Sequence, residues 1–247
     1  MPRIARVQLL VTCLVDRLFP ETGMAVVRIL EKLGVAVDCP AAQTCCGQPA
    51  FNAGFRDDAR ALARHTVDVF SASPAPVVIP SGSCGDMVIH QYAALLADDP
   101  VYATRARDLA ARTFEFTQFL VEQLGVTDLG RTGEGTVAYH ACCHGLRGLG
   151  IRDQPTTLID HVDGLTRVPL PEHDVCCGFG GLFAVKMSDI SSAMLARKLD
   201  CIERCGASTI AVTDVSCAMH MAGGLHRRGS PVTVRHVADL LDPGDPS

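Results

Sequence analysis

One cysteine order is written twice in this chain, and it constrains the fold more than any other feature. Cys13 is followed after 31 residues by Cys45-Cys46-Gly47 and after a further 37 by Cys84. Cys143 is followed after 32 by Cys176-Cys177-Gly178 and after a further 39 by Cys217. Each half also closes on a similar segment, FTQFLVEQLG at 116–125 and VRHVADLLDPG at 234–244. The chain therefore divides into two related repeats, 1–130 and 131–247, each as long as a small domain. A disulfide inside either adjacent pair would strain the peptide between its members and would need an oxidising compartment. The pattern points to thiols that hold something else.

Hydrophobic patterning shows how cysteines so far apart can meet. VQLLVT, PVVIP, TVAYH and TIAVT are short, apolar and β-branched, as strands buried on both faces are. Between them lie amphipathic helical stretches: TGMAVVRILEKLG ending at Gly34, DDARALARHTVDVF, and SDISSAMLARKLDCIERCG with Ser188 as its N-cap. Alternating strands and helices predict an α/β fold of two pseudo-symmetric lobes, each a mostly parallel sheet flanked by helices. Cys13, Cys84, Cys143 and Cys217 fall at or just beyond the C-terminal ends of predicted strands, the edge where such sheets bind ligands. The stretch RTGEGTVA at 131–138 reads as the loop between halves, and the closing DPGDPS as a frayed end.

The first apolar run, Val7 to Val15, is broken by Gln8, Thr12 and Cys13, and no small-residue cleavage site follows it. No window approaches the ~18 apolar residues of a membrane span. These features predict a soluble cytoplasmic protein, where twelve cysteines mean metal or redox work. A net charge of −5, with only three Tyr and no Trp, excludes nucleic acid as a partner.

Four thiolates at one sheet edge can hold iron–sulfur or tetrahedral zinc. The knuckles common in zinc sites and the tight runs of ferredoxins are both missing. Adjacent cysteines suit an extended inorganic cluster, because neighbouring sulfurs can engage different metal atoms. On extended backbone their side chains would point apart, so each pair must sit in a turn, with Gly47 and Gly178 supplying positive φ.

Cys…CCG…Cys, twice over, resembles the cysteine-rich CCG family found in heterodisulfide reductase and in the glycolate oxidase iron–sulfur subunit. CLVDRLFPETG, QTCCGQPAFNAG, PSGSC, CCGFGGLFAVK, DVSCAMHMAGGLHRRG and VRHVADLL are similar to its lactate utilisation protein A branch across almost the whole chain. That resemblance implies an iron–sulfur electron-transfer component of a cytoplasmic complex oxidising L-lactate to pyruvate, inactive alone. The ligands would be Cys13, Cys45, Cys46, Cys84, Cys143, Cys176, Cys177 and Cys217, around two [4Fe-4S] or non-cubane clusters. The fuller family motif ends in C-x2-C, where this chain has Ser81 and Asp214 in place of one thiol each, so these two are candidate oxygen ligands. The chain also lacks ferredoxin-type runs, so further clusters belong to a partner subunit. Two other readings stand beside it: a thiol/disulfide redox enzyme acting at an incompletely ligated cluster, and a zinc-stabilised scaffold.

Cys39, Cys142, Cys201 and Cys205 have no counterpart in the other half and are read as packing. His140 and His144 flank Cys143 as candidate ligands or proton donors, ahead of His220, His226 and His236, while His173 reads as a loop residue. Lys186 and Arg147 are candidates to balance cluster charge. CGFGGLF lacks the register of a nucleotide loop.

Overall fold

The computed structural model describes residues 4–242 and 244. Two four-stranded sheets carry it. The first runs β2-β1-β3-β4 and the second β6-β5-β7-β8, with every pairing parallel. The strands are β1 (Arg6–Leu9), β2 (Ala36–Asp38), β3 (Val77–Ile79), β4 (Thr113–Glu115), β5 (Thr132–Tyr139), β6 (Asp163–Arg167), β7 (Thr209–Val212) and β8 (Thr233–His236). The α/β fold with two similar lobes is thus as the sequence predicts. Its four predicted strands are the central pair of each sheet.

In both sheets the chain reverses its direction of winding between the two central strands. Loops leaving those strands diverge to opposite faces and open a crevice at their C-terminal ends. Cys13 and Cys84 follow β1 and β3, and Cys143 and Cys217 follow β5 and β7. The duplicated topology therefore places both cysteine sets at equivalent switch points.

Alternate residues of the central strands serve different cores, as the period of two demands. Val77 and Ile79 pack with Ala63, Val67 and Phe70 of the helix Arg56–Phe70 in a core of the first lobe. Ile210 and Val212 pack with Leu195, Leu199 and Ile202 of the helix Ser188–Cys205 in a core of the second. Val7, Leu9, Val78, Val137, Tyr139 and Ala211 instead face one shared core, filled by Ile29 and Leu30 of the helix Pro20–Lys32 and by Val237 and Leu241 of the helix Val237–Leu241. Arg28 and Asp242 join the lobes beside it, with Nη2 and Oδ2 2.5 Å apart.

Two local expectations are corrected. β5 begins at Thr132, inside the stretch read as a loop, because its first half runs exposed along β6 and lacks an apolar signature. Ser188 is the first helical residue and Met187 the N-cap, so Ser188 caps nothing. Residues 245–247 of the tail read as frayed lie outside the described residues. Among the described residues no helix is long and apolar enough to cross a membrane.

Candidate metal centres

Each cysteine of the repeat is placed by a helix start or a glycine turn. Cys13 is the first residue of the helix Cys13–Leu18, whose N-cap Thr12 accepts from Val15 N. Cys84 lies in the first turn of Gly82–Asp86 under the cap Ser81, and Cys217 in the first turn of Val215–Arg227 under the cap Asp214. Free N–H groups at such ends favour negative charge. Gly47 and Gly178 have φ of 85° and 92°, as their place in the turn requires, and their N–H groups point back to Cys45 Sγ at 3.5 Å and Cys176 Sγ at 3.4 Å. At Gly178 a Cβ would also lie 2.8 Å from Ser191 O.

Both sites are built as a deep pair and a shallow pair. In the first, Cys46 and Cys84 are buried with Sγ atoms 3.3 Å apart, and Cys13 and Cys45 lie nearer the surface at 3.9 Å. In the second, Cys177 and Cys217 are buried at 3.5 Å, and Cys143 and Cys176 are half-buried. All eight predicted residues open onto one cleft of about 540 Å³ between the lobes. Leu14, Phe55, Phe179, Leu182 and Val185 form its apolar walls, and among the described residues lining it there is no Lys or Arg.

Charge within each set is uneven. Cys45 is drawn well below the ordinary thiol range by the hydrogen bond with Cys13, then by Cys46 and Gly47 N–H, against the opposing effect of burial. Cys176 is lowered in the same way by Cys143, Cys177 and Gly178 N–H. Their neighbours move up: Cys13 and Cys46 through Cys45, and Cys143 and Cys177 through Cys176. Cys45 and Cys176 are thus the thiols of each set most inclined to ionise, and loading a metal must expel protons from the others. Because a lowered pKa keeps the reactive thiolate at lower pH, iodoacetamide at about pH 6 should modify Cys45 and Cys176 first in reduced, metal-free protein. Mass mapping checks this; even labelling across the eight thiols would contradict it.

The remaining candidates separate clearly. Ser81 and Asp214 are not available as oxygen ligands. Ser81 Oγ caps its own helix and donates to Asp214 Oδ2 at 2.8 Å, while Asp214 also accepts from Ser83 N and from Ser216 N and Oγ. Lys186 is exposed and Arg147 Nη2 donates to Asp174 O, so neither lines the cleft. The buried cation beside the second site is Lys198, whose ammonium donates to Glu172 O; nothing in an amphipathic helix pattern distinguishes it. Cys201 is buried as packing requires, but Cys39 is exposed, with Gln43 Nε2 at 3.2 Å from its sulfur.

Cys142 is buried, as packing requires, but beside the second site. It is 2% exposed, lies against Cys217 and lines the cleft, so it belongs to the second site's surroundings. Its Sγ reaches His140 O at 3.8 Å. His140 is fully buried with Nδ1 3.1 Å from His173 O, and burial together with Lys198 lowers its pKa to about 3. His144 Nδ1 lies 3.6 Å from Cys143 Sγ. His220 reaches Ser191 Oγ, and His236 caps the helix Val237–Leu241.

Paired switch-point crevices, each lined by a Cys…CCG…Cys set, define a duplicated cysteine-rich domain. The CCG cysteine-rich domain profile matches residues 7–89 and 137–222, one copy per lobe. The fold is similar to a crystal structure of a hypothetical protein from Helicobacter pylori, with a TM-score of 0.64 at 9% identity over 99% of this chain; this chain spans 50% of that one. Among curated proteins it is similar to Lactate utilization protein A of Exiguobacterium sp. (strain ATCC BAA-1283 / AT1b), 46% identical over 99% of this chain and 98% of the relative. It is likewise similar to Lactate utilization protein A of Bacillus subtilis (strain 168), 44% identical over 96% of this chain and 99% of that protein. The chain belongs to the lactate utilisation protein A family.

Proposed function

We propose that this chain is the iron–sulfur electron-transfer component of a cytoplasmic complex that oxidises L-lactate to pyruvate, with one cluster in each lobe. Cys13, Cys45, Cys46 and Cys84 would hold one, and Cys143, Cys176, Cys177 and Cys217 the other. The observation that carries this reading is that both thiol sets open on a single apolar cleft with no Lys or Arg in its described lining. Such a cleft suits inorganic clusters, whose negative charge is met by helix N-termini and backbone N–H groups. It is unsuited to a carboxylate substrate, which recruits Arg or Lys for recognition. Lactate oxidation releases two electrons and two protons, and two clusters would supply two one-electron acceptors.

The chain's own residues then have defined tasks. The thiols anchor, the caps Thr12, Ser81 and Asp214 fix three helix starts, and the apolar walls exclude water. Oxidation of the hydroxyl is left to another subunit, in keeping with the lactate-utilisation names of the relatives. The expected result is iron and acid-labile sulfide at both lobes in protein purified anaerobically, with a brown colour. Colourless protein with stoichiometric zinc and no sulfide would favour the scaffold reading instead. The isolated chain should show no lactate oxidation with artificial acceptors; turnover by it alone would overturn the electron-transfer assignment.

A further inference from the structure

The two centres differ in their surroundings, and one difference is a histidine. Matching Cys13 with Cys143 sets His140 against Leu10, and the backbone agrees. Leu10 N donates to Val78 O at 3.0 Å, and His140 N donates to Ala211 O at 2.9 Å, each just past a central strand. Leu10 is 1% exposed and packs in the first lobe's core with Cys46 and Cys84. The second lobe puts an imidazole, 0% exposed, where the first has an isobutyl group. Burying a polar side chain here is costly unless both of its nitrogens are used.

Among the described residues, only one of them is used. A carbonyl oxygen can only accept, so the contact with His173 O assigns the proton to Nδ1 and leaves a bare lone pair on Nε2. Nε2 is buried and, among the described residues, has no hydrogen-bond partner. Donor atoms of His140, Cys177 and Cys217 lie within 4.8 Å of one another. A backbone carbonyl holding one ring N–H, with the other nitrogen left free beside thiols, is how proteins orient an imidazole toward a metal. In the first lobe, Cys46 and Cys84 have no such neighbour at the equivalent position.

We propose that His140 Nε2 is a ligand in the second lobe, to the metal atom held by Cys177 and Cys217, and that the first lobe's centre is bound by thiolates alone. The inference rests on the reading of the two thiol sets as metal centres. Its consequence is asymmetry: the second centre would carry a nitrogen donor beside its four thiols, and the first thiols alone.

The test uses the full chain loaded anaerobically with iron and sulfide, elemental analysis, and X-ray absorption at the edge of whichever metal is found. The expected result is outer-shell scattering from one imidazole in the wild type, lost in His140→Ala and retained in His144→Ala. The latter removes the imidazole beside Cys143. A redox titration should resolve two steps in the wild type, one of which shifts in His140→Ala. Metal kept by the first lobe reports that this variant is folded. Should it fail to fold, His140→Leu, which gives the second lobe the side chain the first has as Leu10, takes its place. Sulfur-only scattering in the wild type, imidazole scattering that disappears in His144→Ala, or scattering unchanged in His140→Ala would each overturn the proposal. Zinc without sulfide would refute the iron–sulfur reading separately, and the imidazole signature at the zinc edge would then decide His140.

Discussion

Cys177→Ser should cost the chain about half of its bound metal, and Cys46→Ser the other half, because each removes one member of a deep pair from one of two similar sites. Cys177 is 2% exposed and Cys46 3%, so a hydroxyl in either place stays desolvated and remains protonated, a poor replacement for thiolate. Three thiols then remain in that set, a weaker hold on the metal than four. Metal per chain, measured after removal of unbound ions, should fall by about half in each single variant and to near zero in the double variant. Loss of all metal in a single variant would be equally informative. Since both sets line one cleft, it would mean that the lobes share a single centre. Cys142→Ala provides the internal control. Although Cys142 lies against Cys217, its sulfur is engaged with His140 O, and the substitution should cost packing while leaving metal content intact.

The deep and shallow pairs follow from features that the sequence states openly, and the exceptions follow from features it hides. A doubled spacing can be read along the chain, and CCG demands a turn wherever it occurs. The central strands β1, β3, β5 and β7 were legible because burial on both faces forces a run of apolar residues. The edge strands were not: β2 and β6 are mostly exposed, and the glycines at the start of β5 look like loop. Ser81 and Asp214 invited a reading as ligands because they stand where the fuller family motif has cysteine. Yet Ser-x-Ser and Asp-x-Ser before a helix are also capping sequences, and that signal was present. His140 and Cys142 could be suspected but not assigned from sequence. Both have non-equivalent partners in the other half, Leu10 and Thr12, and only the folded chain brings them against Cys217.

Asp214→Ala should destabilise the fold strongly, as much as loss of a large core side chain. Asp214 is 3% exposed and ties the lobes together: Oδ2 accepts from Ser81 Oγ at 2.8 Å and Ser83 N at 3.0 Å across the interface, and Oδ1 from Ser216 N at 3.0 Å in its own helix. The backbones of Ser81 and Asp214 also meet as an isolated antiparallel bridge. Next to this link there is no slack, since a Cβ on Gly82 would lie 2.7 Å from Gly145 N. Burial alone would raise the carboxyl's pKa, but the hydrogen bonds from Ser216, Ser83 and Ser81 outweigh it and leave the group below its ordinary value. Alanine would leave several buried donors unpaired, at roughly 1–3 kcal/mol each, so a loss of about 3–5 kcal/mol is expected. For a chain of this size that corresponds to a fall of roughly 10 °C or more in Tm, measured on metal-free protein under reducing conditions. Ser81→Ala, which removes one donor, should cost about 1–2 kcal/mol. The pH dependence has a definite sign. A depressed carboxyl pKa stabilises the fold above the unfolded value of 3.8 and loses that effect as pH falls through the folded one, so the gap between wild type and Asp214→Asn should be full at neutral pH and close only in acid. Cys84 and Cys217 both sit in helix turns that this carboxylate organises. Asp214→Ala should therefore weaken metal retention in both lobes together, where each cysteine variant empties one, and selective loss from the second lobe would show that the link does not reach across the interface.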